Sequence, residues 1–162
     1  MPKAFQISVP VLPEMLQYPP QQFAHWRLLY APLYISVGGF AFPAGVWCDF
    51  AGPLLLRWHR EVQRLIAHDS RFARLVFCDT PNEVWLRRTH GPYWKASCVT
   101  WQGKAKTVVA EALCLPERVE AELHSASRWL LDAARSAGVW TEDAAALDDF
   151  LRGEIVASGP ST

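Results

Sequence analysis

The chain has 162 residues, of which 51% are hydrophobic and 20% charged, a balance that supplies a buried core and argues against disorder. That length suits one domain. Sixteen Lys and Arg offset sixteen Asp and Glu, so the overall basic excess common in nucleic-acid-binding domains is missing.

Prolines 2, 10, 13, 19 and 20 punctuate the first 25 residues. Phe5 to Val9 alternates like a short strand, and the rest reads as a surface loop. The apolar stretch behind Lys3 is broken by Pro10 and Pro13 before it reaches the length of a secretory leader, so a cytoplasmic protein is expected. Residues 26–31 fit a helical turn or a strand equally. From Leu28 to Cys48 there is no charge, which is long enough to cross a bilayer. Pro32, Gly38, Gly39, Pro43 and Gly45 interrupt it, so a buried strand pair is expected instead of a membrane span. Leu33–Val37 and Phe40–Phe42 are its strands, joined at Gly38-Gly39 by a bulge or tight turn.

The clearest helix follows, with Gly52 as its N-cap and Pro53 at its first position, where a missing N–H costs nothing. Leu55, Trp58, Val62, Leu65 and Ile66 recur on one face, which predicts a core helix. Leu75–Cys78, Glu83–Arg88, Tyr93–Trp101 and Thr107–Leu113 read as strands. Short turns at Asp79–Asn82, His90–Pro92 and Gln102–Lys104 join them, so they must run antiparallel. Pro116 opens a second helix with Val119, Leu123, Ala126, Leu130 and Ala133 on one face and Gly138 as its C-terminal cap. Thr141 caps a third, which Gly153 ends. The expected fold is a single α+β domain over residues 1–157 with a frayed tail at 158–162. Its core is an antiparallel meander of about five to six strands, with one central helix and two C-terminal helices packed on it. Whether the first helix shares a sheet face with the last two is left open.

The charge is unevenly spread. Residues 51–110 carry an excess of six positive charges and residues 111–162 an excess of six negative ones, which either steers a charged partner or is cancelled by internal pairing. Cys48, Cys78, Cys98 and Cys114 are widely spaced without a C-x-x-C pair, and they read as reduced core thiols. His25, His59, His68, His90 and His124 are scattered with no metal-ligand spacing, so they read as surface or helix-end histidines. No nucleophile stands in a motif: His90 and Asp79 flank one hairpin with Cys78 and Cys98 nearby, but Gly91-Pro92 explains that loop as a turn. No catalytic, cofactor or metal site is therefore nominated, and binding is the expected activity.

One stretch carries a family pattern: Trp47-Cys48-Asp49-Phe50, then Leu56-Arg57-Trp58, then Phe77-Cys78-Asp79-Thr80-Pro81. Over residues 40–86 it resembles small bacterial immunity-type proteins encoded beside polymorphic toxins of the Rhs and type VI secretion kinds. Thr80 stands where that pattern has glycine. The resemblance implies a protein that binds a cognate toxin domain and blocks its active site or substrate access. An adaptor or chaperone that escorts a secreted effector without inhibiting it is the alternative. Neither needs a nucleic acid, a membrane or a small-molecule ligand. For the partner-binding residues the sequence offers two places. The acids Glu142, Asp143, Asp148 and Asp149 would mimic an anionic substrate. Trp85 and Arg87, on the strand side opposite Val84 and Leu86, have the composition of an interface hot spot if exposed.

Overall fold

Two periodicities, one of two residues and one near four, divide this chain into its strands and helices. The computed structural model describes residues 4–10, 27–45 and 47–153. Pro13, Pro19, Pro20, His25 and the tail 158–162 lie outside them. In chain order the elements are β1 (Phe5–Ser8), β2 (Ala31–Pro32), β3 (Tyr34–Val37), β4 (Phe40–Phe42), β5 (Cys48–Asp49) and α1 (Ala51–Ile66). Then come β6 (Phe72–Val76), β7 (Glu83–Arg88), β8 (Trp94–Gln102), β9 (Ala105–Cys114), α2 (Pro116–Ser136) and α3 (Glu142–Leu151). The fold is mixed α+β with antiparallel sheets.

The meander is β6-β7-β8-β9, four strands and not five to six. The earlier strands form sheets of their own, β1-β3-β4 and β2-β5, and β1 and β3 lie against β8 and β9 without pairing to them. Gly38 and Gly39, at φ 60° and 88°, make the β3–β4 hairpin turn, a backbone shape that side-chain-bearing residues resist. The β8–β9 hairpin turns through Gly103-Lys104, which sets Gln102 opposite Ala105 and Trp101 opposite Lys106. Between the pairs Cys98–Ala110 and Val99–Val108 the β9 strand gains a residue, a bulge absent from the sequence reading.

Helix α1 begins at Ala51 with Phe50 at its N-cap, so Gly52 is its second residue and not its cap. Gly52 has another reason to lack a side chain: an added Cβ would lie 1.9 Å from Oδ2 of Asp143 in α3. Leu55, Trp58, Val62 and Leu65 are buried as their spacing requires, but Ile66 at the helix end is exposed. His68 closes α1 at φ 65°; its N–H donates to the Leu65 carbonyl and Asp69 N–H to that of Arg64. That is the double closure usually built around glycine. Arg88 from β7 stabilises it, donating to the carbonyls of Leu65 and Ile66 and lying against the His68 ring. At the end of α2, Gly138 makes the same closure with φ 69°, as its position predicted.

Helix α1 lies against β6, while α2 and α3 pack on α1, and α2 also reaches β1. The last two helices therefore form one layer packed on α1. Phe5, Ile35, Leu55, Trp58, Leu75, Leu86, Leu123 and Leu130 meet in one core between these layers. Among the described residues no helix is long and apolar enough to cross a membrane, and the charge-free stretch resolves into short strands.

Candidate functional site

Alternation along β6 to β9 sends Ala73, Leu75, Val84, Leu86, Ala96 and Cys98 into the core. The residues between them form an outer face that no described helix covers. Phe72 and Arg74 come from β6, Glu83, Trp85 and Arg87 from β7, Trp101 from β8 and Lys106 from β9. Trp85 is half-buried at its centre, with the Phe72 ring 6.0 Å away on one side and the Trp101 ring 6.4 Å away on the other. Lys106 Nζ stands 4.4 Å over the Trp85 ring and the Arg87 guanidinium 5.1 Å from it. Both cations face the negative π cloud at distances where the attraction is significant. Trp85 Nε1 donates to Glu83 at 2.6 Å, and Arg74 holds the same carboxylate through two nitrogens. Burial alone would raise the Glu83 carboxyl; the hydrogen bonds from Arg74 and Trp85 overcome it and hold that group below its ordinary value. Val99 shares this side with Glu83 yet is fully buried, so the face has an apolar floor beneath its polar tips.

Of the residues the sequence nominated, Trp85 and Arg87 lie together on this face. Trp85 is neither core nor fully exposed: it is half-buried and held by its neighbours. The acidic set divides. Glu142 is exposed and Asp149 half-buried, whereas Asp143 and Asp148 are buried. Asp143 accepts from the Leu29 N–H at 2.9 Å, and Asp148 accepts from Arg135 at 2.8 Å and from Arg152. Those two carboxylates hold the fold and do not form a surface run with the others. Thr141 stands at the α3 N-cap as expected, but its hydroxyl makes no capping bond. Phe72, Trp101 and Lys106 were missed. The two-residue turn at Gly103-Lys104 was the available signal, since it alone sets Trp101 opposite Lys106.

The family-pattern residues have structural work. Asp49 is fully buried and accepts from Trp47 Nε1 at 3.2 Å, Phe50 N at 2.8 Å and Cys78 N at 2.9 Å. It thereby ties β5 to the segment leaving β6. Trp58 does not stack with Trp47 and Phe50; its ring meets Phe77 at 5.3 Å, and its Nε1 donates to Val76. Phe50 packs instead on Tyr30.

The thiols are reduced as expected, but only two of them are core residues. Cys98 and Cys114 are buried, Cys48 is half-buried and Cys78 is exposed; all four are free. Burial pushes the Cys98 and Cys114 thiols up to about 12, and burial together with Asp49 pushes Cys78 up to about 11, far from the reactive thiolate range. His59, read as a surface or helix-end residue, is buried between α1 and α2 with its Nε2 3.0 Å from Ser127 Oγ. Ser127 is fully buried as well, so this Ser–His pair is closed to solvent. Burial, aided by His124, lowers the His59 imidazole to about 4. Among the described residues no group of three His, Cys, Asp or Glu side chains is placed to hold a metal ion.

No protein-family model matches the chain, and no curated protein or solved structure matches it either.

Proposed function

We propose that this chain is an immunity-type binding protein that acts in the cytoplasm by neutralising a cognate toxin domain, and that the outer face of β6–β9 is where it docks. One observation carries the choice of surface. Phe72, Trp85 and Trp101 are clustered on a rigid sheet, with Arg87 and Lys106 held against the central ring. Tryptophan and arginine dominate the energetics of protein interfaces, and anchors fixed before contact lose little entropy on binding. The toxin class rests on the resemblance of residues 40–86, whose matching side chains maintain the fold. With Asp143 and Asp148 engaged internally, the acidic α3 is the weaker docking surface.

The test is co-expression with the variable C-terminal domain of the secreted protein encoded next to this gene. Growth should be restored by the wild-type chain and lost again with Trp85→Ala combined with Arg87→Glu. An adaptor would bind the same domain and leave it toxic, which would overturn the proposal. Rescue undiminished by the double substitution would move the docking surface elsewhere.

A further inference from the structure

We infer that the patch this face accepts is acidic, and that the contact continues around the β6 edge of the sheet into an arginine-lined cleft on α1. The inference rests on the docking reading above and deepens it. The cleft has a volume of about 300 Å³ and is lined by Arg57, Glu61, Arg64, Ser70, Phe72 and Arg74. Arg57 and Arg64 stand seven residues apart on α1, close to two full turns, so they point the same way. Phe72 and Arg74 belong both to the cleft and to the outer face. Since β6 is an edge strand, nothing in the sheet separates the two. Cleft and face form one surface.

Its charges are only partly answered from within. Glu61 pairs with Arg64, Glu83 with Arg74 and Glu111 with Lys95. Arg57, Arg87 and Lys106 are exposed and make no ion pair among the described residues. Among the described residues only the Lys95–Glu111 ion pair joins the basic stretch 51–110 to the acidic stretch 111–162, so the two do not cancel each other. A guanidinium fork matches a carboxylate through two parallel hydrogen bonds, which suits Arg57 and Arg87 to Asp or Glu side chains.

Nucleic acid fits less well. Base stacking needs an open ring face, and Lys106 and Arg87 already stand over Trp85. A compact acidic protein patch with apolar contacts to Phe72 and Trp101 satisfies both the charge and the aromatic floor.

The experiment uses fluorescence anisotropy with two labelled probes, poly-L-glutamate of about twenty residues and a thymidine oligonucleotide of equal length, at about 25 mM and about 300 mM NaCl. Poly-L-glutamate should bind at the lower salt and weaken at least about tenfold at the higher. Arg57→Glu alone, and Arg87→Glu with Lys106→Glu, should each weaken it by about tenfold, while Arg128→Glu on α2 leaves it unchanged. Near-ultraviolet circular dichroism checks that each variant is folded. Absence of binding at low salt, equal loss with Arg128→Glu, or tighter binding of the oligonucleotide overturns the inference. The two readings fail separately. Growth rescue by a chain that does not bind poly-L-glutamate sinks the acidic patch and leaves the docking reading standing; binding without rescue does the reverse.

Discussion

On its inner side the β6–β9 sheet presents Ala73, Leu75, Val84, Leu86, Ala96 and Cys98, each fully buried. On its outer side, one residue away along the same strands, it presents Phe72, Arg74, Trp85, Arg87 and Trp101, with Phe72 41% exposed. The inner set is small and aliphatic because it must close against α1 without voids. The outer set is large, aromatic and cationic, which serves no purpose in closing a core. Neighbours in sequence thus answer to different requirements, and substitutions a single position apart should register in different measurements.

Leu86→Ala is expected to break the inner side. Removing a fully buried leucine should cost about 3 kcal/mol of unfolding free energy, read by urea denaturation, through lost transfer energy and the cavity left behind. Acid should reach the buried interior by another route, at the seam of α1 and α2. The unfolded chain protonates His59 near its ordinary 6.5, whereas the folded chain resists until about 4. Its contribution is whole above pH 6.5 and is lost as the pH falls toward 4, up to about 3 kcal/mol. Glu83 on the outer side, held below the ordinary carboxylate range, should remain charged through most of that window. His59→Gln should flatten the slope of stability against pH between 4 and 6.5; an unchanged slope would assign it to another group.

Trp85→Ala sharpens the contrast from the outer side. Partner affinity should fall by about 2 kcal/mol, by isothermal titration calorimetry, with a smaller loss of stability than Leu86→Ala. Comparable stability losses for the two would show that Trp85 is part of the core after all. The smallest effect concerns the rim, where β7 meets the end of α1. His68→Gly should stabilise the chain by about 1 kcal/mol in the same denaturation assay, because glycine adopts φ 65° without steric cost. A net loss would mean that the Arg88 contact to the imidazole outweighs that relief.

Local signals were enough for most of the elements. Alternation located β7 residue for residue, Gly38-Gly39 and Gly103 marked real hairpins, and Gly138 ended α2. Partition into sheets was not legible, because pairing is decided by contacts far apart in the chain and the short N-terminal strands carry no partner label. Nor was the fate of single polar groups. Asp49, Asp143 and Asp148 look alike in sequence to Glu142 and Asp149, yet burial depends on donors supplied by Cys78, Leu29 and Arg135 from distant segments. His59 was misjudged for the same reason: its seat exists only once α2 brings Ser127 to it. On the candidate surface, Trp85 and Arg87 were visible from strand parity alone, whereas Phe72 and Lys106 required the register of three further strands.

The carboxylate of Asp143 fills the space left by Gly52 and takes the N–H of Leu29, 114 residues earlier in the chain. During synthesis, the amino-terminal half must therefore wait with that contact unmade until α3 leaves the ribosome. Helix α3 is thus the latch of the described fold, which closes only after that helix has been made.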